Sequence, residues 1–238
     1  MKSLSQQHGL RLSVLIVGFL WLLQILNLIF PDEPALNFFL PHVSMIENMP
    51  LAALYAMVKG IGYLLLVLGL LRLTGERLTD LGFQSERLPR HVLTGALFGI
   101  AIFVFNTALL LPVIEHLLPG FRVSNSALFA SSLNIAILFF LGIVKGGFLE
   151  ELWRIFVLTR FEKVFQKTGL VTALIVSSII FGLGHAYQGK SAVVGTAVIG
   201  FLNGLVYLRK RSAIEAVIAH AVFDILAVAG GALMHSGH

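Results

Sequence analysis

The stretch "GGFLEELWRIF", residues 146–156, joins two unlike segments. Before it runs an apolar segment, 131–149. After it comes "EELWRIFVLTRFEKVFQK", 150–167, which is patterned as a helix but charged. In a soluble protein Glu150, Glu151 and Arg154 would be ordinary surface. At the end of a membrane-crossing run they need a reason, so the setting of the stretch comes first.

The composition supplies that setting. The chain has 238 residues, 57% of them hydrophobic and only 12% charged. A soluble domain carries about 25% charged residues, so this chain cannot cover a water-facing surface. Its mean hydropathy is +0.91. Nineteen Phe and 23 Gly suit packed transmembrane helices, because glycine lets helix backbones approach. With no cysteine there is no disulfide framework, thiolate metal site or cysteine nucleophile. The net charge of +5 is spread between apolar runs rather than gathered in a patch, which argues against a nucleic-acid partner.

Working outward from 146–156, the runs long enough to cross a bilayer are 12–30, 50–71, 92–114, 131–149, 169–186, 191–208 and 212–233. The expectation is an all-α polytopic bundle of about seven transmembrane helices in a single integral membrane domain, 1–238. A β-barrel would alternate apolar and polar residues, and these runs do not. The first run is too long for a signal-peptide core and no small-residue cleavage site follows, so it reads as a retained helix. Segment 150–167 is too charged to cross lipid alone. It reads as an amphipathic helix at the interface or packed into the bundle, with Gly146 and Gly147 allowing a kink before it.

Charge asymmetry sets the expected orientation. With the N-terminus in the cytoplasm, the inside segments hold Lys2 and Arg11; Arg72, Arg77, Arg87 and Arg90; Arg154, Arg160, Lys163 and Lys167; and Arg209, Lys210 and Arg211. The outside loops keep Arg122 and Lys190, with acidic Asp32, Glu33 and Glu47 in the first. That is the positive-inside pattern of a multi-pass protein of the bacterial inner-membrane type.

Ionisable groups inside apolar runs are costly and point to function. Glu150 and Glu151 diverge by about 100° on a helix, and Arg154 is within pairing reach of both. The plain alternative is a helix end meeting the headgroups. His185 shares a face with Phe181, four residues earlier. His220 and Asp224 stack on one face, nine to thirteen residues past the basic turn "RKR", near mid-membrane; the plain alternative is a buried structural pair. Ser212 and Glu215 match a capping box. Lys59 and Lys145 read as snorkelling, Asn106 and Asn203 as helix–helix hydrogen bonds, Gly200 and Gly204 as packing, and His235 and His238 as a tail.

Carboxylates and imidazoles are what water activation needs. One route is a glutamate base with a histidine, a second histidine stabilising an oxyanion. The other is a divalent metal such as zinc on Glu150, Glu151, His185 and His220, which would acidify a bound water. No Ser, Thr or Cys is paired with a base, so hydrolysis by activated water fits better than a covalent intermediate.

The order "EE…R", "FGLGH", "HAVFD" resembles the CPBP family of intramembrane proteases, which includes the type II CAAX prenyl endopeptidases and the Abi bacteriocin-processing and self-immunity proteins. The motif-bearing region is about 135–228. The resemblance implies an intramembrane endopeptidase in which Glu150 or Glu151 works with His185 on water or a metal. It implies that His220 and Asp224 stabilise the transition state or complete a ligand set, and that Arg154 orients the glutamates. The family usually has three residues between the glutamate pair and the arginine; here there are two, Leu152 and Trp153. The choice between Glu150 and Glu151 therefore stays open. The implied partners are a peptide or protein substrate and the lipid bilayer. Two other readings are a catalytically inactive member acting as a membrane partner or immunity protein, and an ion- or proton-coupled transporter. The sequence gives no oligomeric state.

Overall fold

The computed structural model describes residues 4–30, 45, 47–117 and 126–235. Lys2, Asp32, Glu33, Arg122 and His238 lie outside the described residues. The helices are α1 (Leu4–Ile29), α2 (Met49–Thr74), α3 (Leu88–Phe105), α4 (Leu111–Leu117), α5 (Ser132–Leu141), α6 (Glu151–Leu183), α7 (Lys190–Lys210) and α8 (Ala213–His235). A π-helical turn, Asn106–Leu110, links α3 to α4, and a longer one, Gly142–Glu150, links α5 to α6. No strand occurs among the described residues. The protein is a polytopic helical bundle.

Six helical stretches among the described residues are long and apolar enough to cross a membrane. One of them, Ser132–Leu183, is 52 residues long, far more than the roughly 20 that a bilayer needs. It is folded back on itself. Gln166 leaves helical geometry at φ 57° and ψ −147°, and beyond it Gly169 sits against Phe161 and Phe165, where a β-carbon would fall 2.6 Å from Phe165 Cβ. Counted as two arms, this stretch supplies the seventh crossing expected from the hydropathy.

Segment 150–167 therefore does not lie along the interface. It continues the 131–149 run as one long helical arm, and its stretch from Glu151 to Arg160 is almost wholly buried. Leu152, Ile155, Phe156, Val157 and Leu158 fill the main core with Ala173 of the returning arm and Tyr207 of α7. Its charges are paired inside the protein, which is how a charged helix avoids lipid.

The partners of those charges gather at one end of the bundle. Arg160 pairs with Glu76, and Lys163 lies 2.8 Å from the same carboxylate. Arg211 holds Glu162 through two nitrogens, at 2.7 and 2.6 Å. Burial alone would raise the pKa of Glu76, but its hydrogen bonds and charge interactions with Lys163 and Arg160 bring it below the ordinary value. Gly82, at φ 96°, accepts a hydrogen bond from the Ala213 amide at 3.1 Å and ties the α2–α3 connection to the start of α8.

Four sequence readings change here. Glu215 does not complete a capping box: Ser212 Oγ does accept from the Glu215 amide, at 3.3 Å, but the Glu215 carboxylate pairs with Arg209 and lies 2.9 Å from His91 Nδ1. The Asn203 amide and Asn106 Oδ1 are buried without a hydrogen-bond partner among the described residues, so they do not form the bonds expected of them. His235 ends α8 rather than lying in a tail. Lys145 does not snorkel; it is paired at the candidate active site.

The outward faces are lined with large apolar side chains, among them Leu15, Phe19, Leu54, Leu65, Leu93 and Leu97. These meet lipid tails. Inward, glycines let helices touch: a β-carbon on Gly95 or Gly99 of α3 would fall 2.8 Å from Ile218 or Val222 of α8. Close backbone approach of this kind holds membrane helices together where no hydrophobic effect operates between them.

Candidate active site

The fold-back at Gln166 brings the motifs to one level. Rising about 1.5 Å per residue, Glu150 stands about 24 Å up one arm and His185 about 28 Å up the other. With 150–167 lying flat, Glu150 and His185 would belong to opposite faces of the membrane. Because the segment stands upright, both line one pocket of about 180 Å³.

The π-helical turn decides which way each glutamate points. A π-turn inserts a residue into the helical ladder and shifts the phase of the residues after it; such turns recur at functional sites. Here it spans Gly142–Glu150 and ends between the two glutamates. Glu150 lines the pocket with Gln24 of α1 and with Lys59 and Tyr63 of α2. Glu151 points the other way and has no exposed surface.

Glu151 is held in the core. Its Oε1 accepts from Arg154, which is 3% exposed, and lies 2.8 Å from His220 Nδ1. The Arg154 guanidinium sits over the Phe181 ring, 4.5 Å from its centroid. Phe181 in turn meets both imidazoles edge-on, with centroids 4.8 Å from His185 and 5.8 Å from His220. Gly200, read from sequence as packing only, gives Phe181 and Arg154 their room: a β-carbon there would lie 2.8 Å from the ring and 3.3 Å from the guanidinium.

His220 reaches Glu151 because α8 lies flat on the π-turn. A β-carbon on Gly147 would fall 2.6 Å from that of Ala221, one on Gly142 would fall 2.9 Å from Asp224 Cβ, and one on Gly146 would fall 3.5 Å from His220 Nε2. Gly146 and Gly147 thus work as a flat seat for α8 rather than as a simple kink. Asp224 Oδ2 is 3.6 Å from His220 Nε2, an ion-pair distance but too long for a hydrogen bond.

The set is arranged in pairs. Lys145 Nζ lies 2.5 Å from Glu150 Oε1. His185 Nδ1 donates to the Phe181 carbonyl at 2.8 Å, which in the neutral ring leaves Nε2 as the basic nitrogen. Glu150 feels the charges of Lys145, His185 and His220. Sequence reasoning misses Lys145, although the signal is present, since a lysine at mid-span is rarely idle.

No three His, Asp or Glu side chains among the described residues are placed to hold one metal ion. Cations occupy the positions a metal would take, Lys145 on Glu150 and Arg154 on Glu151. This arrangement does not fit a resident divalent ion.

These features define a membrane-embedded bundle with a carboxylate and an imidazole facing one interior pocket. A family model described as "Type II CAAX prenyl endopeptidase Rce1-like" matches residues 131–226, the region carrying every motif residue above. The resemblance to CAAX-type membrane proteases is thereby borne out for that region, which is less than half of the chain. No curated protein and no solved structure gives a significant match.

Proposed function

We propose that the protein is an intramembrane endopeptidase that hydrolyses a peptide bond with a water activated by Glu150 and His185. The observation that carries this reading is the division of labour between adjacent glutamates. Glu150 lines the pocket with His185, while Glu151 is withdrawn onto Arg154 and His220.

Glu150 takes a proton from water as its oxygen attacks the scissile carbonyl carbon. That proton passes from Glu150 to His185 Nε2, which delivers it to the departing amine as the C–N bond of the tetrahedral intermediate breaks, leaving both groups as they began. Charge on the former carbonyl oxygen is stabilised by His220, whose ring is oriented by Glu151. Asp224 assists only while protonated or paired with His220, because a free carboxylate would repel the oxyanion. Arg154 orients Glu151 and touches no reacting atom. The basic end faces the cytoplasm, and the substrate is a peptide segment at the membrane.

The test is cleavage by the purified protein in proteoliposomes, read by mass spectrometry on a prenylated C-terminal peptide and on an unprenylated apolar peptide. Cleavage lost in Glu150→Gln and in His185→Ala, with both variants folded, supports the reading. Undiminished cleavage in Glu150→Gln sinks it. Lys145 on Glu150 favours a second reading, that of a family member which binds peptides without cutting them; binding without product in every lipid tested would establish that.

A further inference from the structure

The pocket carries more positive charge than hydrolysis uses. Lys59 of α2 and Lys145 of the π-turn both line it. The two ammonium groups feel each other, and Lys59 also feels Glu150. Lys145 holds Glu150 at 2.5 Å. Lys59 is paired with no carboxylate among the described residues and is exposed at the rim of the pocket. Arg154, the remaining cation of the lining, is matched by Glu151. Lys145 thus has Glu150 at 2.5 Å and Asp224 within electrostatic reach, and Lys59 is the lysine of the lining without a carboxylate of its own among the described residues.

The depth makes this imbalance significant. Lys59 is about ten residues, or about 15 Å, into α2, at a level where lipid tails offer no counter-ion. A cation there is costly unless something pairs with it. The ion pairs at the basic end are closed by Glu76, Glu162 and Glu215; among the described residues no carboxylate closes Lys59, which leaves the pocket open to an anion.

The geometry points to a carboxylate-binding subsite formed by Lys59 and Lys145, which makes these two lysines determinants of substrate choice. This rests on the pocket being the peptide site proposed above. A carboxylate arriving at Lys59 competes for Lys145 and draws it from Glu150, so the base is unmasked when the right peptide is seated. The carboxylate has two sources, the free C-terminus of the peptide or an aspartate or glutamate side chain within it.

The experiment uses the full chain in detergent micelles and three fluorescein-labelled apolar nonapeptides. One is a free acid, one its C-terminal amide, and one the amide with a single aspartate near the C-terminus. Anisotropy reads binding and mass spectrometry reads cleavage. The free acid or the aspartyl amide binds at least about 10-fold tighter than the plain amide, the usual worth of a hydrogen-bonded charge; whichever does names the source. Lys59→Met brings that ratio to within about twofold, and Lys59→Arg restores it. A wild-type ratio near one, no binding of any peptide, or an unchanged ratio in a folded Lys59→Met overturns the subsite. Equal cleavage of all three peptides sinks the subsite and leaves the protease standing. Carboxylate-selective binding without cleavage does the reverse.

Discussion

His220 Nδ1 and Glu151 Oε1, 69 positions apart in the chain, lie 2.8 Å from each other in the core of the bundle. The same carboxylate oxygen accepts from Arg154. One buried glutamate thus ties the first motif to the last and stands behind the pocket rather than in it.

That placement predicts a non-additive response. Removing one member of a buried ion pair leaves an uncompensated charge and costs about 3–5 kcal/mol, whereas replacing both with apolar residues is often neutral. Glu151→Leu and Arg154→Met each lower the melting temperature sharply, and the double variant recovers much of the loss. A double-mutant cycle from thermal unfolding in detergent measures this; additive losses would show that the pair is not coupled.

Glu150 behaves differently from its neighbour. Its exchange for glutamine lowers turnover by about 10²–10⁴-fold, the usual contribution of a general base, with little change in melting temperature. Glu151→Gln lowers both. Measuring kcat and melting temperature for the two variants side by side separates the pocket glutamate from the core one.

The seat between α8 and the π-turn is tight. Gly147→Ala drives a methyl into Ala221, at about 1–3 kcal/mol for overpacking. Ala221→Gly in the same chain relieves the clash and restores most of the stability. If the second change brings nothing back, the two helices are not in contact at this point.

Glu76 gives the pH dependence. Its folded pKa lies below its ordinary 4.5 because of Lys163 and Arg160. A depressed carboxylate contributes stability that is fully present above the unfolded pKa and fades as pH falls through the folded one. The melting-temperature gap between wild type and Glu76→Gln is therefore constant at neutral pH and closes below about pH 4.5. A gap that widens on acidification would reverse the sign.

Orientation is tested by labelling, since the chain has no cysteine. With the basic end inside, Ser85→Cys is protected from an impermeant maleimide in intact cells and Ala130→Cys reacts. The opposite pattern would invert the topology.

Much of this is legible in the sequence. Composition and apolar run length point to the bundle, because crossing a bilayer imposes one length and one chemistry on every helix. His220 and Asp224 stand out because ionisable groups are rare at mid-membrane depth, and His185 because it shares a face with Phe181 at the end of an apolar run. The upright course of 150–167 is not legible: its charges look incompatible with a crossing until Glu76 and His220, supplied from 84 and 69 positions away, pair with them. The orientation of Glu150 against Glu151 is hidden for another reason. Helical periodicity assumes about 3.6 residues per turn, and the π-turn breaks that count just before the pair. Lys145 escapes notice because, read alone, it looks like a snorkelling side chain.

The π-turn makes the identity of the pocket glutamate a matter of counting. Deleting a single residue between 142 and 149 would rotate everything after it by about 100° and offer the pocket a different side chain without altering any motif. Two chains with the same Glu-Glu-Arg signature can therefore differ in competence through one insertion or deletion upstream, and an alignment that scores only the motif letters would rank them as equals.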